Sequence, residues 1–437
     1  VSKGAAAERL HAENVDVSMN ETTTQTAIGV RPWMRAPATR AVMDALAAAG
    51  GEARFVGGCV RDALMGRPVG DIDIATTLTP DRVMAALKAA SLKAVPTGFD
   101  HGTVTAVSSG KPFEITTLRR DVETDGRRAV VAFTTDWAED AQRRDFRLNA
   151  LYADAEGRVF DPTGEGLADA EAGRIVFIGD AETRIREDAL RILRFFRFQA
   201  WFGQGEPDAA SLAACERSKD LLTTLSAERV SKELLKLLAA DDPRPAVRLM
   251  AATGVLSVVL PQAQGIGRFE RLVEIETDQL FQCDPDLRLA ALLPDEPIVG
   301  AEVADALRLS NAQRDRLVSA LGTDQRIVSW LSPRETRRAV YRLGVDAFCD
   351  RTLLAWARTD RPAATPQWRA LLPMARGWQR PSFPLTGDQV IAAGVPRGPL
   401  VGAVMREVED WWIDHDFLDD PMSLVERLKA VAQGMAY

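Results

Sequence analysis

Two carboxylates two residues apart, Asp71 and Asp73, follow a glycine pair, Gly57-Gly58, within the stretch RFVGGCVRDALMGRPVGDIDIAT from Arg54 to Thr76. Side by side, two carboxylates repel and raise each other's pKa unless a cation neutralises them. Oxygen ligands of this kind suit a hard divalent ion, above all Mg²⁺. A Gly-Gly turn that opens a helix exposes backbone N–H groups where an anion is welcome. Together these parts serve metal-dependent phosphoryl or nucleotidyl transfer, in which the turn holds a triphosphate and metal ions clamp the attacking and leaving oxygens. The plainer reading of Asp-x-Asp alone is a solvated acidic turn, and Gly57-Gly58 with Arg61 at this distance favours the site.

The elements that must carry these residues are legible from local pattern. Arg54 to Val56 reads as a short strand broken by the glycines, and Val60 to Met65 as a helix. Alternation along Asp71-Ile72-Asp73-Ile74 places the two carboxylates on one strand face and the isoleucines in the core. Thr103 to Val107 and Pro112 to Leu118 flank Ser108-Ser109-Gly110-Lys111 as a β-hairpin. On its second arm Phe113, Ile115 and Thr117 share one face and Glu114 and Thr116 the other. Glu114 is therefore either a third carboxylate on an adjacent strand or a plain solvent-facing residue. Arg119 to Ala129 (RRDVETDGRRA) is polar and charged and reads as a mobile loop. Asp140 to Leu151 (DAQRRDFRLNAL) reads as one helix with Asp145 and Asn149 four apart on one face.

Upstream, residues 1–31 are rich in Ala, Thr, Ser and Glu without a period, so disorder is expected there. Met19 is a candidate start. Pro37 and Thr39 to Ala49 form a helix ended by Gly50-Gly51, and Pro80 to Ala90 another with Thr79 as N-cap. From Glu182 to Ala200 no breaker interrupts a helix whose Leu190, Leu193 and Phe196 form an apolar set and whose Asp188, Arg191 and Arg194 form a polar stripe. Ser226 caps Ala227 to Leu238, and Thr253-Gly254 closes the helix before Val255. Beyond lie helices broken by Pro, with long connections near Asp284 to Pro297 and Arg361 to Leu385. The fold class is α+β: a mixed-sheet head followed by helices alone.

A chain of 437 residues suggests two to four domains. The sequence shows neither a long uninterrupted apolar run nor a secretory pattern, so the expectation is a cytoplasmic protein with no membrane partner. Cys59, Cys215, Cys283 and Cys349 lack paired spacing, and His11, His101 and His415 are scattered, which leaves zinc no ligand set. A net charge of −8 argues against a nucleic-acid partner. Local clusters ease that tension: Arg184, Arg186, Arg191, Arg194 and Arg197 in one helical stretch, and Arg334, Arg337, Arg338 and Arg342 in another. For the second cluster, ordinary solvated helix faces remain the competing explanation.

The pattern G-G-x-V-R-D followed by D-x-D-I-A-T resembles the head signature of the class II tRNA nucleotidyltransferases, the CCA-adding enzymes and their bacterial poly(A) polymerase relatives. The likeness runs from about Pro32 to about Phe417. It implies a polymerase-beta-like head over 32–162, a helical neck for nucleobase selection over 163–240, and a helical body and tail that bind tRNA over 241–437. It further implies Mg²⁺ on Asp71 and Asp73, Glu114 as a third carboxylate in an E-x-T-T-x-R strand, and ribose and triphosphate binding by Arg144, Asp145 and Asn149 in an R-R-D-F-x-x-N-A motif. Gly57, Gly58 and Arg61 join that nucleotide site. Glu187, Asp188, Arg191 and Arg194 match E-D-x-x-R, in which Asp188 accepts from and Arg191 donates to cytosine or adenine while Glu187 orients the pair. In the family a flexible loop at Arg119 to Ala129 takes part in switching from CTP to ATP, and members restricted to adding C have shortened it. The sequence departs from the pattern at Arg147, where Thr is usual, at Glu165, interposed in the D-P-x-G-G turn, and at Val176, where Arg is common. The implied activity is template-independent CCA addition to tRNA 3′ ends from CTP and ATP, with no protein partner indicated. The nearest rivals are a poly(A) polymerase, which tends to carry an extended basic C-terminal region not evident before Tyr437, and an enzyme that adds only A. More distant rivals are a catalytically silent RNA-binding or nucleotide-sensing protein and an enzyme that transfers a nucleotide to a small molecule.

Overall fold

The computed structural model describes residues 27–125, 128–359, 365–418 and 420–434, without the side chains of 121–131. The chain forms two compact units, Val1–Asp180 and Ala181–Tyr437.

The first unit begins with α1 (Pro32–Arg35) and α2 (Pro37–Ala48), then β1 (Ala53–Val56), α3 (Gly58–Leu64), β2 (Asp73–Thr76), α4 (Pro80–Ala89), β3 (Lys93–Gly98), β4 (Thr103–Ser108) and β5 (Lys111–Thr117). It continues through β6 (Arg119–Asp125), β7 (Arg128–Phe133), α5 (Trp137–Gln142), a 3-10 turn at Arg147–Asn149, β8 (Tyr152–Ala153), β9 (Val159–Phe160) and α6 (Gly166–Ala172). Seven strands make one sheet in the order β3-β4-β5-β2-β1-β8-β9, while β6 and β7 form a separate ribbon. Among the described strands only β2 and β5 run parallel. Helices α2 and α4 pack together and against β4, and Leu46, Phe55, Ile74, Val104, Phe113 and Ile115 are all fully buried. The alternation expected for β5 is observed, with Phe113, Ile115 and Thr117 buried and Glu114 exposed.

Several local expectations are corrected. Residues 27–31, expected to be disordered, are ordered: Ala27 bridges Arg158, and the Ile28 N–H donates to the Gly157 carbonyl at 3.0 Å; the rest of that expectation, residues 1–26, lies outside the described residues. The loop expected at Arg119 to Ala129 is an antiparallel ribbon, Arg119 opposite Phe133 and Asp125 opposite Arg128. Its β-branched residues outweighed its polarity; residues 126 and 127 lie outside the described residues. Asp71 precedes β2 rather than lying within it.

The helix expected over Asp140 to Leu151 stops at Gln142. Phe146 is extended and bridges Phe177, and the Asp145 carboxylate accepts from the Phe146 N–H at 2.9 Å, a side-chain bond that competes with helix continuation. That bridge, with α6 beside the 3-10 turn, joins the segment after Pro162 to the sheet unit, whose limit is Asp180.

In the second unit every described element is a helix. It opens with α7 (Ala181–Glu187), α8 (Leu190–Phe202), α9 (Ala209–Arg217) and α10 (Ala227–Leu238). The single helix expected from Glu182 to Ala200 is therefore broken, at Asp188-Ala189, where the Asp188 carboxylate accepts from the Leu190 N–H at 3.1 Å. The expected apolar face survives, with Leu190, Leu193 and Phe196 buried. Thr79 and Ser226 stand at N-cap positions without a side-chain cap bond. Gly254, at φ +74°, closes the helix Arg244–Ala252 as expected. Helices occupy both stretches read as long connections, Pro285–Ala291 and Thr365–Gly377. No helix among the described residues is long and apolar enough to cross a membrane.

Candidate active site

In the first unit the parallel pairing of β2 with β5 sets Asp73 directly opposite Glu114. Burial, then the Glu114 charge and, more weakly, that of Asp71 push the Asp73 carboxyl up to about 6, against a smaller opposing pull from Arg144. All three predicted carboxylates and Arg144 therefore share one electrostatic neighbourhood. Behind them Cys59 is buried, its thiol donating to the Val56 carbonyl at 3.4 Å and pushed up to about 12 by that burial, so it is inert structure.

The turn between β1 and α3 is made by Gly57 at φ +70° and ψ −122°, a conformation that an L side chain rarely adopts. Its N–H donates to the Leu151 carbonyl at 3.1 Å, and a Cβ there would come within 3.7 Å of both Arg144 Nη1 and the Asn149 carbonyl oxygen. The glycine turn thus lies against the second motif. Arg61, buried, donates from Nη1 to Asn149 Oδ1 at 2.7 Å, and Asn149 Nδ2 donates to Asp145 Oδ1 at 3.1 Å. These two bonds tie Arg61 to Asn149 and Asp145 across a long stretch of sequence and fix the amide's orientation.

Sequence reasoning missed Asp140 and Tyr152. Asp140 is 1% exposed. Its carboxylate accepts from Arg143 at 2.8 Å, Arg144 at 3.1 Å, the Tyr152 hydroxyl at 2.7 Å and the Arg119 N–H at 3.2 Å. Burial raises its pKa, yet Arg144, Arg143 and Tyr152 outweigh burial and hold it at about 2. A carboxylate three and four residues before two arginines was the available signal.

The three departures from the family pattern meet one another. Arg147 forms an ion pair with Glu165, its backbone N–H donates to the Val176 carbonyl at 3.1 Å, and its guanidinium lies 3.8 Å from the fully buried Asp169. Arg174 also pairs with Asp169, at 2.9 Å. Asp161 organises the adjoining turn by accepting from the N–H groups of Thr163, Gly164 and Leu167.

In the second unit Glu187 Oε2 accepts from Arg184 and Arg191, each at 2.5 Å, and Arg191 also donates to the Arg184 carbonyl at 2.7 Å. The Asp188 carboxylate accepts from Arg229 at 2.8 Å. Asp188 and Arg191 thus come from either side of the helix break, with different partners. The Arg194 guanidinium lies 5.7 Å from the centre of the Phe198 ring. The basic clusters are largely ion-paired. Arg197 bonds Glu233 at 2.6 Å, while Arg337, Arg338 and Arg342 pair with Asp416, Asp414 and Asp410 at 2.9, 2.7 and 3.0 Å. The second cluster is a carboxylate-matched helix face rather than a bare cationic stripe.

Among the described residues no group of three or more His, Cys, Asp or Glu side chains is arranged to hold a metal alone. Asp71 and Asp73 nevertheless fit a hard divalent ion, which commonly takes one or two carboxylates and completes its shell with water and substrate phosphates.

Residues 53–176 match the Poly A polymerase head domain family, and residues 206–265 a family described as the probable RNA and SrmB-binding site of polymerase A. The chain is 31% identical over 365 residues to the mouse mitochondrial CCA tRNA nucleotidyltransferase 1, covering 83% of this chain and 82% of the relative. It is 32% identical over 378 residues to a CCA-adding enzyme of Levilactobacillus brevis, covering 85% and 91%. Among solved structures it is similar to the Bacillus stearothermophilus CCA-adding enzyme in complex with CTP, with a TM-score of 0.73, 26% identity, and 90% and 97% of the two chains covered. The fold also matches that of the Thermotoga maritima CCA-adding enzyme complexed with tRNA, at a TM-score of 0.64, 21% identity, and 90% and 94% coverage.

Proposed function

Because the chain belongs to the CCA tRNA nucleotidyltransferases of the poly(A) polymerase head family, we propose that Asp71 and Asp73 are its catalytic metal ligands, with Glu114 as their neighbour. The protein adds CCA to tRNA 3′ ends from CTP and ATP and releases pyrophosphate. The register of Asp73 against Glu114 carries the assignment, because it gathers charge at one strand edge, and burial with that charge raises the Asp73 pKa to about 6. Mg²⁺ bound there supplies activation of the tRNA 3′-hydroxyl and neutralisation of the triphosphate.

The rest of the chemistry falls to side chains. Gly57 and Gly58 leave room for phosphate against the backbone, and Arg61 and Arg144 supply positive charge. Asn149 and Asp145, held by one another and by Arg61, receive the ribose. The base is read by Asp188 and Arg191. Cytosine and adenine each present an amino donor beside a ring-nitrogen acceptor, which suits a carboxylate acceptor next to a guanidinium donor, whereas uracil and guanine reverse that order. Glu187 restrains Arg191 for this role.

The test uses purified protein, tRNA transcripts ending before CCA, after C and after CC, and each labelled NTP in turn, with Mg²⁺ or with chelator. Ordered C, C and A incorporation dependent on Mg²⁺, and abolished in folded Asp71→Ala and Asp73→Ala, is expected. Retained turnover in either variant would remove the assignment. Incorporation of A alone, or of A without limit, would favour a specialised A-adding enzyme or a poly(A) polymerase.

A further inference from the structure

The helical unit contains a cleft of about 770 Å³ lined by residues between Asp295 and Trp368, a volume that suits a small organic ligand. None of the catalytic or base-selecting side chains contributes to it. Two tryptophans stand in its wall with opposite characters. Trp330 is 70% exposed, a large aromatic face offered to solvent. Trp368 is 3% exposed, and its indole N–H has no acceptor among the described residues. Buried donors are nearly always satisfied, and the described residues do not supply this one's acceptor.

The charges point the same way. Asp295 is shared by two guanidiniums, Arg268 at 2.7 Å and Arg358. Burial and the like charge of Arg268 press the Arg358 pKa down to about 10. Arg351 is matched by Asp324 at 2.6 Å. Arg326 lines the cleft, is exposed, and has no ion-pair partner among the described residues. Among the described residues, one carboxylate for two arginines and an additional unmatched arginine leave a local positive excess in a chain whose net charge is −8. An anion entering here would find cations short of countercharge.

We propose that this cleft is a second nucleotide-binding site, taking a nucleoside phosphate whose base stacks on Trp330 and whose phosphate is held by Arg326 and Arg358. Aromatic faces beside arginine recognise nucleotides irrespective of base. The same chemistry is presented by a free nucleotide and by an unstacked residue of an RNA, so two measurements on the full chain separate the sources. Equilibrium dialysis of labelled ATP counts sites per chain, and filter binding of a tRNA transcript ending before CCA gives RNA affinity. Both measurements rest on the function proposed above, the first because it counts the catalytic site as one of the ATP sites; the loss of one site from wild type to variant reads the cleft alone.

If the ligand is a free nucleotide, the wild-type chain binds two ATP, Trp330→Ala and Arg326→Ala each bind one, and tRNA affinity is unchanged. If it is an RNA residue, ATP binds at one site throughout and the two variants weaken tRNA roughly tenfold. Trp330 and Arg326 are exposed, so folded variants are expected, and unchanged melting checks this. Folded variants with wild-type ATP stoichiometry and wild-type tRNA affinity would overturn the proposal, while loss of incorporation in Asp73→Ala would stand independently of that result.

Discussion

Replacing Asp140 by Asn tests whether a buried carboxylate orients Arg144, the arginine proposed to meet the triphosphate. The change keeps size and shape but removes the charge that Arg143, Arg144 and the Tyr152 hydroxyl converge upon. Burial alone would raise the Asp140 pKa, and the opposing arginines and hydroxyl bring it from 3.8 to about 2. That change corresponds to about 2 kcal/mol of net preference for the ionised form. Because the folded value lies below the unfolded one, that stabilisation is present above pH 3.8 and is lost as pH falls through about 2. Asp140→Asn should therefore lower the urea-unfolding free energy at pH 7 by about 2 kcal/mol, and the gap from wild type should narrow below pH 4. Without its carboxylate partner Arg144 keeps its bond to the Tyr152 hydroxyl, at 3.3 Å, but loses the charge that helps to hold it near Asp73. The KM for CTP and for ATP should rise roughly tenfold, the equivalent of about 1.4 kcal/mol of binding, with little change in tRNA affinity. Equal stability at pH 7 together with wild-type nucleotide KM would refute the reasoning, since it would mean that the arginines are positioned by something else.

Asp73 carries the opposite sign. Its folded pKa of about 6 lies above the ordinary 3.8, so the contribution is fully present below pH 3.8 and is lost as pH rises through 6. Asp73→Asn should abolish incorporation in Mg²⁺, yet in chelator it should melt higher than wild type at pH 8 by an amount worth up to about 3 kcal/mol, and differ less at pH 5; a lower melting point at pH 8 would contradict this. Asp188→Ala or Arg191→Ala should lower CTP and ATP use together and narrow their advantage over UTP and GTP, with tRNA affinity retained, and unaltered selectivity among the four NTPs would make this helix junction structural. The Arg147 and Glu165 pair, half of it exposed, should show a coupling of less than about 1 kcal/mol in a cycle of Arg147→Thr and Glu165→Gly followed by urea unfolding; a coupling well above that would show that the two departures form a buried unit rather than a surface pair.

Where local chemistry decides structure, the sequence by itself was sufficient. Alternation within Lys111–Thr117 put Glu114 on the face opposite Phe113 and Ile115, and the glycines at 57 and 254 marked backbone that only a residue without Cβ adopts readily. Asp71 and Asp73 after Gly57-Gly58 suggested metal-dependent nucleotidyl transfer from residue chemistry, whereas the nucleotide-binding roles of Arg144, Asp145 and Asn149 came from the resemblance to a family. Polar residues capable of bonding their own backbone were harder: Asp145 and Asp188 each captured a nearby N–H and ended a pattern that otherwise reads as continuous helix. Only the tertiary structure could bring Arg61 to Asn149, set Asp73 beside Glu114, gather Asp140 with Tyr152, and match Arg337, Arg338 and Arg342 with acids far along the chain. The reason is physical: propensity and periodicity act over a turn or two of backbone, whereas the pKa and partner of an ionised side chain are set by burial and by charges whose proximity exists only after the chain has packed.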